Sequence, residues 1–332
     1  TEPGPDGLRY TSGLKPFRPL VTNPHLLTII GNFWPRKLDT ARYPVTRRLF
    51  RTEPDVQVVV YSQSPHDAPR AQFVLVHGLE GSHEAGYKRS MAQHALEAGL
   101  SVHRFNMRSC GGTEDLAPSN YHAGQTSDLL HVLRELARAS AAPIFLGGFS
   151  LGGNVSLKLA GELGPAAKEL LAGVIAVSTP IDLAACVKRL EQRANLLYAQ
   201  RFLRRLKERI RTRARQHPSL YDVSRLDEVR TVYDFDNLYT ARFFGFGTAD
   251  NYYATQSSRN FLAGVAVPTL IVQAVDDPLI PFAVYSHPAF AANPNLRLLA
   301  VPHGGHLGFI SRGEPRFWLD PVVLDWIDQR LA

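Results

Sequence analysis

The chain has 332 residues, 45% of them hydrophobic, with 37 Lys or Arg against 30 Asp or Glu for a net charge of +7. That is ample core material for one large domain, and no apolar run approaches the roughly 18 residues of a membrane-spanning helix. Cys110 and Cys186 alone set no disulfide framework, and residues 1–15 are polar with no apolar signal-peptide centre, so a flexible tail and a cytoplasmic setting are expected.

From there the predicted elements alternate. Residues 55–61 and 71–76 read as strands, 87–98 as a helix, 101–105 as a strand and 126–139 as an amphipathic helix. An apolar strand at 143–147 precedes a helix at 154–160, and a further strand follows at 173–178. Residues 183–260 are an insertion, after which come strands at 268–273 and 296–301 and a terminal helix at 321–331. This alternation predicts a mostly parallel sheet with helices on both faces.

Gly148-Phe149-Ser150-Leu151-Gly152 lies between the strand at 143–147 and its helix. A serine on a sharp strand-to-helix turn projects its hydroxyl above the sheet, and flanking glycines let neighbouring backbone approach. The helix behind it aims N–H groups at the place where an oxyanion would form. An α/β-hydrolase fold completes such a site in the chain order serine, acid, histidine, from loops after later strands. The strand at 268–273 runs into Asp276-Asp277-Pro278, and the strand at 296–301 into His303-Gly304-Gly305-His306. Asp276 and Asp277 are adjacent, so only one can face the histidine. In the G-x-x-D-x-x-x-P pattern of this fold Ala274 takes the glycine place, which puts the acid on Asp277 and leaves Asp276 and the earlier Asp182 as alternatives. His306 follows paired glycines that suit a loop folding back over the serine. The oxyanion donors expected are the backbone N–H groups of Leu151 and, in the loop after strand 71–76, Leu79. His77 in that loop is expected to be structural, as is Cys110. The chemistry calls for no metal and no organic cofactor.

Further blocks carry a resemblance. Asn23-Pro24-His25-Leu26-Leu27-Thr28, His77 to Ser82, Asn106 to Gly112, Tyr121 to Gly124, Phe235-Asp236-Asn237 and Tyr252 to Ser258 resemble the YheT-like hydrolases, as do the serine, aspartate and histidine blocks. That family also includes animal membrane-anchored phospholipases and fungal medium-chain ethyl-ester synthases. The likeness spans about residues 16–328 and departs at Leu27, where the family has glutamine, and at Ser109, where it has glycine. It implies one α/β-hydrolase domain over residues 16–332 with a helical cap at about 183–260. It implies acyl-ester hydrolysis of the esterase or lipase kind through an acyl-enzyme, with alcohol acyltransfer or phospholipase action at membrane surfaces as alternatives.

Within the insertion, residues 188–215 hold eleven Lys or Arg against two Glu, a local excess of +9 that is larger than the charge of the whole chain. Leu190, Ala194, Leu197, Leu203, Leu206 and Ile210 recur at helical spacing, so a basic amphipathic helix or helix pair is expected. Its first reading is the solvated outside of a cap. The alternative is peripheral contact with an anionic surface at the inner face of the membrane. No recognition motif accompanies the charge, so nucleic acid is not expected as a partner.

Overall fold

The computed structural model describes residues 16–332, and the tail expected over residues 1–15 lies outside them. Its sheet has eight strands: β1 (Thr46–Glu53), β2 (Val56–Gln63), β3 (Ala71–Val76), β4 (Leu100–Asn106), β5 (Ile144–Phe149), β6 (Gly173–Val177), β7 (Thr269–Ala274) and β8 (Leu296–Val301), in the order β1-β2-β4-β3-β5-β6-β7-β8. β1 pairs antiparallel with β2 and β2 antiparallel with β4, and every other pairing is parallel. β3, β4, β5, β6 and β7 are buried at every residue, and all but β4 read as mainly apolar runs. β1 escapes that criterion. It reads Thr-Arg-Arg-Leu-Phe-Arg-Thr-Glu and forms one edge, where charge discourages pairing with another chain.

Helices cover both faces. α2 (Gly86–Glu97) and the terminal helix Leu319–Leu331 pack Met91, Leu96, Val323 and Trp326 on one side. α3 (Ser127–Ala139) and α4 (Leu151–Leu163) pack Leu129, Leu133, Val155 and Leu159 on the other. α1 (Pro24–Phe33) was not among the predicted elements, although its signal is present. The Asn23 side chain accepts the Leu26 N–H, and proline occupies the first helical position.

Between β6 and β7 the chain forms α5 (Leu183–Leu190), α6 (Leu196–Gln216) and several shorter helices. Leu206, Ile210, Tyr221, Leu226, Val229 and Phe235 bury one another there in a separate apolar cluster. The basic amphipathic stretch is thus split by residues 191–195, and its facing differs from the spacing argument. Leu206 and Ile210 point inward, but Leu197 is 81% exposed. Two of the cations are also turned in. Arg213 is buried with its guanidinium on the carbonyls of Glu114 and Ala117, and Arg209 pairs with Glu80.

One side chain ties the insertion to the sheet. Asn154 in α4 donates through Nδ2 to Ala123 O at 2.9 Å and Gln256 O at 3.0 Å, while its Oδ1 accepts the Ser258 N–H at 2.8 Å. Three of the sequence blocks therefore meet at one buried amide. Asn154→Ala leaves three backbone groups unpaired, two of them buried, and should lower stability by about 3 kcal/mol. Urea unfolding should show the midpoint falling at constant slope, and an unchanged midpoint would remove Asn154 from this role.

Candidate active site

β5 ends at Phe149 and α4 begins at Leu151, so a single residue makes the turn. Ser150 has φ +52° and ψ −123°. A side chain is strained in that region and persists there only when its surroundings hold it. Ser150 N–H donates to Val177 O at 2.8 Å, and Ser150 O accepts the Gly153 N–H at 2.8 Å. The close approach of strand and helix is what demands glycine on either side. A β-carbon on Gly148 would lie 2.3 Å from Gly152 O, and one on Gly152 would lie 2.5 Å from both His77 O and Val76 O.

His306 Nε2 lies 3.0 Å from Ser150 Oγ, and His306 Nδ1 lies 2.9 Å from Asp277 Oδ2. An ionised carboxylate only accepts, so Nδ1 carries the proton and Nε2 is left to accept from the serine hydroxyl. Asp277 is 2% exposed and fully occupied. Its Oδ1 accepts the N–H groups of Leu279 at 2.8 Å and Ile280 at 3.1 Å, and Gln273 donates to Oδ2 at 3.2 Å. Asp276 turns the other way, with Oδ2 3.1 Å from His303 Nδ1 and Oδ1 accepting the Gly305 N–H at 3.0 Å. Asp182 accepts from Ala185 N–H at 3.0 Å as the cap of α5 and pairs with Arg259. Of the three aspartates, only Asp277 meets His306.

The His306 loop rests on α1. Thr28 Oγ1 accepts the His306 N–H at 2.8 Å while donating to Pro24 O at 2.7 Å. The two backbones touch, since a β-carbon on Gly308 would sit 2.6 Å from Leu27 O and one on Gly31 2.7 Å from Gly308 Cα. Residues 23–28 stood in the sequence as part of a resemblance without a task, and Thr28 is the task.

Leu79 and Leu151 flank the serine. Among the described residues neither of their N–H groups is engaged in a hydrogen bond. The Leu79 loop is held from behind. His77 Nε2 accepts the Met107 N–H at 3.1 Å, which forces the ring proton onto Nδ1, and Nδ1 donates to Gly78 O at 2.8 Å. Burial holds the pKa of His77 well below the ordinary histidine range, so the ring stays neutral. It is held from the front by groups that sequence reading missed. Glu80, at φ +55°, receives Arg209 of α6 in a two-point clasp of 2.9 and 3.0 Å, and its N–H donates to Tyr121 Oη at 2.9 Å. Nothing local in the sequence links residues 80 and 209. Cys110 lies under this clasp, 3.7 Å from Arg209 Nη2, with burial pushing its thiol up to about 12.

Ser150, His306 and Leu79 open into a cavity of about 470 Å³ whose other walls include Phe202, Leu206 and Tyr253 from the insertion. Three carboxyls line it, from Glu80, Asp222 and Asp236. Asp236 accepts the hydroxyls of Tyr253 and Thr240 at 2.7 Å each, and burial raises its pKa to about 6. The rest of the lining is mainly aliphatic and aromatic, which suits an apolar ligand.

The model of the alpha/beta hydrolase fold family matches residues 72–312. The chain is 31% identical over 313 residues to the predicted esterase YheT of Escherichia coli (strain K12), covering 92% of this chain and 90% of YheT. It is 29% identical over 249 residues to the phospholipase ABHD3 of Bos taurus, which is 74% of this chain and 60% of that protein. The solved structure of esterase Pf2001 of Pyrococcus furiosus aligns with a TM-score of 0.59 at 16% identity, over 90% of this chain and 99% of that one, a likeness of fold. Among the described residues no helix is long and apolar enough to cross a membrane. By sequence and by fold, the chain belongs to the alpha/beta hydrolase fold family and, within it, to the esterase- and lipase-type hydrolases related to YheT.

Proposed function

We propose that the protein cleaves acyl esters through an acyl-enzyme formed on Ser150. The observation that carries this reading is the unbroken hydrogen-bonded series Ser150 Oγ–His306–Asp277 at one end of an apolar cavity. His306 Nε2 takes the serine proton as Oγ attacks the acyl carbon, and then returns it to the departing alkoxide. Asp277 fixes the tautomer and stabilises the imidazolium while its own charge is spread over two backbone N–H groups. The free N–H groups of Leu79 and Leu151 receive the developing oxyanion, each worth on the order of 3 kcal/mol in the transition state. Water, activated by the same histidine, then releases the acid. The insertion acts as a cap, supplying Phe202 and Leu206 to the acyl pocket and Arg209 to the loop that presents Leu79.

Ser150→Ala removes one hydroxyl and should fold normally while losing nearly all turnover of p-nitrophenyl esters. A fluorophosphonate probe should label the wild type at Ser150 alone, and labelling of the alanine variant would refute the assignment.

The two neighbouring aspartates should behave differently. Asp277→Asn should lower kcat about 10³–10⁴-fold, because the imidazole loses the anion that orients it. Asp276→Asn, which touches only His303 and Gly305, should cost far less. The reverse order in steady-state kinetics would reassign the acid.

A mainly apolar pocket should also select for chain length. Each buried methylene contributes about 0.8 kcal/mol, so kcat/KM should rise roughly fourfold per carbon along a p-nitrophenyl ester series from acetate until the cavity is full, then fall. A flat profile would place the acyl chain outside this cavity.

A further inference from the structure

Eleven large hydrophobic side chains are exposed among the described residues, and five of them gather on two adjoining segments. Leu26, Ile29 and Phe33 recur at i, i+3 and i+7 on α1 and are 49%, 45% and 65% exposed, while Leu27, Thr28 and Gly31 fill the inner face. α1 contains no Lys, Arg, Asp or Glu. Leu196 and Leu197, in the first turn of α6, are 45% and 81% exposed. Two contacts hold the segments side by side. The His25 ring stacks on Tyr198 with centroids 5.8 Å apart, and the Arg201 guanidinium lies 5.6 Å over the Phe33 ring. A continuous apolar surface of this kind marks a place of contact.

The surroundings are cationic. Arg201 and Arg205 follow Leu197 at intervals of four, with Arg204 beside them and Arg193 just before the helix. Among the described residues no carboxylate pairs with Arg193, Arg201 or Arg205, and Arg204 has only a loose 4.0 Å approach to Glu208. Arg201 is held below the ordinary arginine pKa by partial burial and then by the like charges of Arg205 and Arg204. A second copy docked on this face about a two-fold axis would oppose these charges to themselves. An anionic lipid surface would neutralise them and accept the apolar side chains between its headgroups.

We propose that the outer face of α1 and the first turns of α6 dock the protein on an anionic phospholipid membrane. The contact is narrower than the whole basic run 188–215, since Arg209 and Arg213 face inward, and it adds α1, which has no Lys, Arg, Asp or Glu. The opposite side of α6 lines the cavity with Phe202 and Leu206, so docking lays the roof of the cavity against a source of apolar esters. The turnover consequence rests on the proposed esterase activity, whereas the docking itself does not.

Co-sedimentation with vesicles tests it without any turnover. The wild type should bind phosphatidylcholine vesicles containing phosphatidylglycerol about tenfold or more tighter than pure phosphatidylcholine, with the preference shrinking as salt rises. The triple variant Leu26→Ser, Ile29→Ser, Phe33→Ser should lose about tenfold or more of that binding. Arg204→Gln with Arg205→Gln, both exposed, should lose the anionic preference and serves as a second variant with the apolar face intact. Both variants should keep wild-type hydrolysis of short soluble esters, which shows they are folded, while hydrolysis of vesicle-borne esters falls. Failure of the wild type to bind, or unchanged binding by both variants, overturns docking and leaves the esterase reading standing. A dimer in sedimentation analysis that the triple variant dissociates would assign the face to a second copy and overturn it as well. Absence of soluble ester hydrolysis with binding intact would instead overturn the esterase reading.

Discussion

The backbone at Ser150 is the constraint on which the site depends. Strand β5 becomes helix α4 across one residue at φ +52°, a conformation that costs of order 1–3 kcal/mol and must be held by its surroundings. Those surroundings are the sheet itself. β5 lies between β3 and β6, so Val177 at the end of β6 reaches the serine N–H, while the loop after β3 closes over Gly152 with no room for a β-carbon. Parallel neighbours with their C-terminal ends at the same edge bring the β3, β5, β7 and β8 loops to one place, where the crevice of such sheets receives ligands. The strained turn holds the hydroxyl and the first N–H of α4 in fixed positions, the preorganisation that the proposed acyl transfer calls for.

Histidine must then be brought to that hydroxyl by a loop with little structure of its own. Residues 303–308 contain three glycines and form no regular element, yet they are pinned from several directions. Asp277 holds the ring, Asp276 holds the Gly305 N–H, Thr28 holds the His306 N–H, and Ser178 Oγ accepts the Leu307 N–H at 3.2 Å. The adjacent aspartates thus divide the work between side chain and backbone. Because Thr28 belongs to α1, and α1 stacks His25 on Tyr198 of α6, the histidine loop, the first helix and the insertion form one packed unit.

The Arg209–Glu80 clasp joins the insertion to the Leu79 loop in a similar way. Both side chains are largely buried, and desolvating two charges offsets most of what their attraction contributes. What the pair adds is position. Glu80 sits in a left-handed conformation directly after Leu79, which lines the cavity, and a two-point guanidinium contact restricts it far more than a single bond would.

Local sequence was enough for most of the sheet and for naming the residues that the structure brings together around Ser150. Mostly apolar strands announce themselves, so β3 and β8 have the same bounds in the sequence as in the structure, and the turn at Ser150 requires glycines at fixed offsets that can be read directly. For α1 a start signal exists in Asn23 and Pro24, though α1 was not among the predicted elements, whereas β1 carries no signal, because an edge strand made of arginines has no apolar signature. The motif pattern points to Asp277, but only tertiary structure shows where Asp276 and Asp277 each turn, since their partners lie more than twenty residues further along the chain. The same holds for Thr28 under His306, Asn154 between the segments at 123 and 256–258, and Arg209 on Glu80, where the contacting residues are 278, up to 104 and 129 positions apart. It holds for the basic stretch as well. Spacing shows that a helix will be amphipathic, but which of its arginines faces solvent depends on where Glu80 and the carbonyls of Glu114 and Ala117 come to rest once the chain has folded.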